Sequence, residues 1–306
     1  MIRAVTIALA IAVPAAVQAA APVQVCNATW TDPARAGRQV PVRIRMPAGS
    51  GKVPLVLFSH GLGGNLDSGT DWADAGIAVI HIDHAGSDRA VVFNGTLLAA
   101  MNPAQLAARA GDVRFVLDEV ARRPRAGACD LGRIDLGRIG MSGHSFGAIT
   151  TQAVSGQHYP LARMGRFADP RIKASIAFSP SPPVMNDDTD AFGGIRIPFM
   201  SVTGTQDVAS VQRGIGAADR ERPYRAMPPG GKYLLVFDGA SHMQFNGQDT
   251  LRNGMTPDPH VRAVTIAATT AFWRANLLDD GQAATWLASR TGLRTMLKTG
   301  DLLEAK

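Results

Sequence analysis

The chain has 306 residues, 46% of them hydrophobic and 18% charged, with a formal net charge of +6. That length buries a sizeable core, and that balance excludes an intrinsically disordered chain. The densest basic run, "ARRPRAG" over 121–127, is short and follows a predicted helix, so the charge reads as a diffuse basic surface rather than a nucleic-acid footprint.

Residues 1–19 read as a cleaved export signal. Arg3 supplies the positive charge, 5–17 is an apolar run too short to span a bilayer comfortably, and "AVQAAAP" offers small residues for cleavage after Ala19. An uncleaved anchor is the alternative. Val25 before Cys26 argues against a lipoprotein signal. The mature chain is then expected as one domain over 20–306, periplasmic or secreted, monomeric and without a stable membrane anchor. Cys26 and Cys129 are the only cysteines, and an oxidising compartment would favour a single disulfide between them.

Past the signal, short apolar runs alternate with helical patterns. "VPLVLFS" over 53–59 and "IAVIHID" over 77–83 are continuous hydrophobic runs. A helix follows, with Asn102 as its N-cap and Pro103 in its first turn. Leu106, Ala110, Val113, Leu117 and Val120 recur at helical spacing, and Pro124 ends the pattern. Further buried strands are expected at "IKASIAF" from 172, "IPFMSVT" from 197 and "KYLLVFD" from 232, with closing helices over 260–278 and 283–297. Apolar strands separated by helices imply an α/β fold, a mostly parallel sheet covered on both faces. In such sheets chemistry gathers at the carboxyl ends of the strands.

Those ends carry "HGLGG" after 53–59, "GHSFG" after 139–142, "GTQD" after 197–203 and "GASHMQF" after 232–238. Ser145, Asp207 and His242 thus stand at three strand ends, in that chain order. A serine hydroxyl needs a base to take its proton as it attacks, a neutral imidazole does this near pH 7, and a buried carboxylate fixes the imidazole tautomer. In a G-x-S-x-G elbow the serine takes a strained backbone between strand and helix, and Gly143 and Gly147 leave room for neighbouring backbone. The oxyanion formed on attack finds one donor in the Phe146 N–H and another in the loop after the earlier strand, at Leu62. No cofactor or metal is required.

With these pieces in place the sequence resembles the α/β-hydrolase superfamily. More closely, it is similar to bacterial dienelactone-hydrolase-like proteins and platelet-activating-factor acetylhydrolases, through "LVLFSHGLGG", "IAVIHIDHAGSD", "RIGMSGHSFGA" and "GASHMQF" between about 40 and 272. The resemblance implies a serine hydrolase of carboxylic esters, with Ser145 as nucleophile, His242 as base, and Leu62 and Phe146 as oxyanion donors. Two departures bear on substrate. Dienelactone hydrolases use a cysteine where this chain has Ser145. In the animal acetylhydrolases the acid follows the strand after the elbow, where this chain has Ser179. The acid is therefore expected one strand later, at Asp207.

Other residues carry weaker signals. His81, Asp83, His84 and Asp88 in "HIDHAGSD" could suggest a metal, but structural hydrogen bonding is the expectation. His60 reads as a loop organiser. Asp187, Asp188 and Asp190 read as a solvated cluster and the alternative source of the acid. Leu62, Phe146, Met243 and Phe245 are expected to line an apolar acyl pocket, with no long lid insertion. A short-chain ester is the first expectation, with lipid or polyester hydrolysis, peptidase or amidase action and a non-catalytic binding protein as alternatives.

Overall fold

The computed structural model describes residues 22–64, 66–68, 70–160, 167–209, 211–212, 214–247 and 256–306. The expected signal and its cleavage position lie outside these residues. The strands, in chain order, are β1 (Gln24–Asp32), β2 (Arg38–Met46), β3 (Val53–Ser59), β4 (Ala78–Ile82), β5 (Arg125–Ala126), β6 (Cys129–Asp130), β7 (Ile134–His144), β8 (Ile172–Phe178), β9 (Phe199–Gln206), β10 (Lys232–Ser241) and β11 (Leu302–Ala305). The α-helices are α1 (Thr70–Asp74), α2 (Ala90–Phe93), α3 (Pro103–Arg122), α4 (Phe146–Ser155), α5 (Asp188–Phe192), α6 (Arg222–Ala226), α7 (Pro259–Leu277) and α8 (Gly281–Ala288).

Among the described residues nine strands form one sheet, in the order β1-β2-β4-β3-β7-β8-β9-β10-β11. The block from β4 to β10 is parallel. Strands β1 and β2 join one edge antiparallel, and β11 closes the other edge antiparallel. Alternation along each central strand feeds two cores. Leu55 and Leu57 pack towards α3 and α4, while Val56 and Phe58 pack towards α1 and α7. Helix α3 starts as its sequence dictates: the Asn102 side chain accepts from the Gln105 N–H at 2.9 Å, and Pro103 follows.

The closing helix expected over 283–297 is shorter than that. Helix α8 ends at Ala288, and only a 3₁₀ turn, Leu293–Met296, follows. Gly292 marks the break: a Cβ there would lie 1.9 Å from the Trp286 carbonyl oxygen, so the chain folds back tightly against its own helix.

Cys26 on β1 and Cys129 on β6 form a disulfide with Cα atoms 6.1 Å apart, closing a separation of 103 residues. Both cysteines are buried. A cross-link over so long a loop restricts the unfolded chain strongly. The double variant Cys26→Ala/Cys129→Ala is expected to lose about 2–4 kcal/mol of unfolding free energy, read by urea denaturation. An unchanged midpoint would show that the bond contributes nothing in solution.

Candidate active site

Strand β7 delivers "GHSFG" to the carboxyl end of the sheet. Ser145 stands between β7 and α4 with φ 57° and ψ −115°, a left-handed backbone that a non-glycine residue adopts only at a cost. Its N–H donates to the Phe178 carbonyl at 3.0 Å, which ties the turn to β8. The flanking glycines are steric necessities. A Cβ on Gly147 would lie 1.8 Å from the Ser59 carbonyl oxygen, and one on Gly143 would lie 2.4 Å from the Gly147 carbonyl oxygen. A third close approach occurs two strands away, where a Cβ on Gly204 of β9 would lie 2.2 Å from the Ala240 carbonyl oxygen of β10.

The structure brings Ser145, His242 and Asp207 into one hydrogen-bonded array. The Ser145 hydroxyl donates to His242 Nε2 at 2.9 Å. His242 Nδ1–H donates to Asp207 Oδ1 at 2.6 Å. Asp207 is fully buried, and its Oδ2 accepts from Thr203 Oγ1 at 2.7 Å. Burial alone would raise its pKa, but the His242 hydrogen bond and the charges of His242 and Arg220 outweigh burial and hold it below the usual carboxylate range. Arg220 is itself buried, with Nε 3.6 Å from Asp207 Oδ1, and its other donors reach Ser181 Oγ and Gln212 Oε1.

The neighbouring His144 is also part of the array. Its Nε2–H donates to the His242 carbonyl at 2.9 Å, and the two rings lie 4.7 Å apart between centroids. It therefore braces the backbone from which the His242 imidazole projects. His144 fills a free position of the elbow motif and Arg220 lies in no motif, so neither role was announced by the sequence.

The Leu62 loop lies against the elbow. A Cβ on Gly61 would lie 3.5 Å from Ser145 Cβ and 3.2 Å from His144 Nδ1. The Gly61 carbonyl accepts from His60 Nδ1–H at 2.6 Å and from the Gly64 N–H at 3.3 Å. In a trans peptide the carbonyl and the next N–H point in opposite directions, so these bonds aim the Leu62 N–H away from the loop's own interior. Phe146 is the first residue of α4, where a helix leaves its N–H without an intrahelical partner.

No family model matches this chain, and no curated protein matches it. Many solved structures do. One is the ferulic acid esterase from Streptomyces cinnamoneus, with a TM-score of 0.59 at 19% sequence identity, covering 87% of this chain and 93% of that one. The chain has an α/β-hydrolase fold.

Ser179 directly follows β8, buried, with φ 56°. Asp187 caps α5 through the Asp190 N–H, Asp188 pairs with Arg222, and Asp190 meets His158 and Asn186. These carboxylates serve the surface around α5. Of the four side chains expected to line an acyl pocket, Leu62 and Met243 are partly exposed. Phe146 is 2% exposed, with its ring 4.4 Å beneath the Arg109 guanidinium, while Phe245 is 4% exposed, stacks on Phe237 and lines a cavity with Phe58, Trp72 and Phe178. Aromatic rings at these positions bury more apolar area in the core than at the rim.

The "HIDHAGSD" residues make internal hydrogen bonds. His81 accepts from Arg45 at Nδ1 and donates to the Ser68 carbonyl from Nε2. His84 donates to Asp112 and accepts from Ser59. Asp88 caps α2 at the Ala90 N–H. His60 accepts from the His84 N–H. Among the described residues no group of three or more His, Cys, Asp or Glu side chains is arranged to hold a metal.

Burial pushes the pKa values of His81 and His144 down to about 3 and that of His84 well below its usual range, with nearby cations adding to the effect. The unfolded chain takes up protons at these rings near pH 6.5, whereas in the folded chain His81 and His144 resist until about pH 3 and His84 is also held well below its usual range. Stability is therefore lost as pH falls below 6.5, by up to about 1.4 kcal/mol per pH unit for each ring. A melting temperature that stays flat from pH 7 to pH 5 would contradict neutral buried rings.

Proposed function

We propose that this protein is an exported serine esterase that cleaves carboxylic esters through an acyl-enzyme. The observation that carries the reading is the Ser145–His242–Asp207 array, with contacts of 2.9 and 2.6 Å built on a strained elbow backbone. Ser145 Oγ attacks the ester carbonyl while its proton passes to His242 Nε2, and Asp207 holds the imidazole tautomer and stabilises the imidazolium. The developing oxyanion is received by the N–H groups of Leu62 and Phe146. Collapse of the adduct returns the proton to the leaving alkoxide, and water repeats the cycle on the acyl-enzyme.

Several features favour esters of short or apolar acyl groups. Leu62 and Met243 are apolar and partly exposed, and Met243 directly follows His242. A solved neighbour of the same fold is named as a ferulic acid esterase. The finer resemblance to dienelactone-hydrolase-like proteins and platelet-activating-factor acetylhydrolases points to the same chemistry. The disulfide agrees with export to an oxidising compartment, and no helix among the described residues is long and apolar enough to cross a membrane.

A fluorophosphonate probe separates an enzyme from a binding protein, and p-nitrophenyl esters beside peptide anilides separate esterase from amidase. The expected result is one adduct on Ser145 and turnover of the esters. An unlabelled Ser145 with no ester turnover would overturn the reading.

A further inference from the structure

Arg109 is fully buried in the middle of α3, and among the described residues its guanidinium hydrogen-bonds to Thr150, Ser87, Ser59 and His60. Its Nε–H donates to Thr150 Oγ1 at 2.9 Å, on the second turn of the elbow helix α4. One terminal nitrogen donates to Ser87 Oγ at 2.7 Å. The other donates to Ser59 Oγ at 2.9 Å and to the His60 carbonyl. The guanidinium also covers the Phe146 ring at 4.4 Å. Burial pushes its pKa down to about 9, with Asp112 opposing, so it is still a cation at neutral pH.

These partners belong to two separate pieces of chain. Thr150 and Phe146 carry the elbow helix, and Ser59 and His60 begin the loop that ends in Leu62. Ser87 strengthens the second piece, because its carbonyl accepts the Gly63 N–H at 3.0 Å. The His60–Gly61 peptide group is thus anchored directly by Arg109, and the Leu62–Gly63 peptide group through Ser87. A planar five-donor fork spans such a set of acceptors, and an ammonium does not.

Behind Arg109 lies a second serine–histidine–aspartate chain. Ser59 donates to His84 at 2.8 Å, and His84 donates to Asp112 at 2.9 Å. All three are fully buried, and Asp112 is neutralised by Arg38 and Arg35. This array has no route to substrate. Its effect is to orient Ser59 so that its oxygen accepts from Arg109.

We propose that Arg109 is a positioning residue for the oxyanion donors, locking the His60–Leu62 backbone against the elbow helix so that the Leu62 and Phe146 N–H groups converge on one point. The inference rests on the esterase reading above. It goes further by assigning to a buried helix residue the geometry of the oxyanion site.

The test uses paired substrates, an oxoester and its thionoester. Sulfur is a larger and weaker hydrogen-bond acceptor, so the rate ratio between the two reports on the oxyanion donors rather than on the triad. Arg109→Met is expected to lower kcat/KM for the oxoester by about 10²-fold, within the range for a lost oxyanion donor, and to shrink the oxoester-to-thionoester ratio by about tenfold. Arg109→Lys should fall between, with KM little changed. Asp207→Asn should slow both substrates together and leave the ratio intact. A folded Arg109→Met protein with the wild-type ratio would overturn the proposal and leave Arg109 a purely structural residue. Should both Arg109 variants fail to fold, Thr150→Val removes the Nε acceptor together with the hydroxyl's own bond to the Phe146 carbonyl, and an unchanged ratio there counts equally against the idea. A wild-type protein that neither turns over the oxoester nor reacts with a fluorophosphonate would instead bring down the esterase reading itself, and this inference with it.

Discussion

Ser145→Ala is expected to yield a folded protein with almost no ester turnover. The substitution removes one oxygen whose described hydrogen bond goes to His242, and it leaves the Ser145 N–H bond to Phe178 and the glycine contacts around the elbow untouched. Alanine carries the same Cβ into the same left-handed backbone, so no new strain arises. In a comparable triad, losing the nucleophile costs on the order of 10⁶ in turnover. Circular dichroism should match the parent while p-nitrophenyl ester hydrolysis falls to background. Retention of more than a few per cent of activity would remove Ser145 from the role proposed for it.

Asp207→Asn should follow at about 10⁴-fold loss in turnover. The amide keeps the shape of the carboxylate but can present an N–H to His242 Nδ1, which favours the tautomer whose Nε2 carries the proton. That ring cannot accept from Ser145. Asp207 directly follows β9 and is fully buried, so the rigid sheet fixes its position. The matching changes at Asp187, Asp188 and Asp190 should cost little, because those side chains cap α5 or pair with Arg222 and His158. Four variants assayed on one activated ester give the answer. A near-normal Asp207→Asn beside an inactive cluster variant would move the acid to the β8 loop.

Much of this arrangement was legible in the sequence because central parallel strands are buried on both faces and read as unbroken apolar runs. Val53–Ser59 and Ile172–Phe178 are of that kind, and their carboxyl ends fix where Gly-rich and polar residues converge. The β1–β2 hairpin escaped notice for the opposite reason. Its strands alternate buried and exposed residues and include Pro41, Arg43 and Arg45, so no apolar run marks them. The low exposure of Phe146 and Phe245 had no sequence signal, because proximity to a reacting group does not say which way a ring turns.

Arg109 did leave a trace in the sequence. It stands three residues after Leu106 and four before Val113, on the apolar stripe of α3, where a cation is out of place unless something receives it. Arg220 had no such stripe. It lies in a four-residue 3₁₀ turn, and only the folded chain shows it beneath Asp207.

The main-chain contacts at Gly143, Gly147 and Gly204 bear on how this protein could be redesigned. At each, two backbones meet with no side-chain layer between them: Ser59 against α4, β7 against the elbow, and Ala240 against β9 just ahead of His242 and Asp207. The spacing of the array is thereby set by peptide groups, which substitution cannot trim or enlarge. Substitutions among apolar side chains elsewhere in the interior should cost stability without detuning the reacting atoms. New substrate preference would have to be sought in the loops that surround this fixed frame, and a library that varied the elbow glycines would consist mostly of misfolded chains.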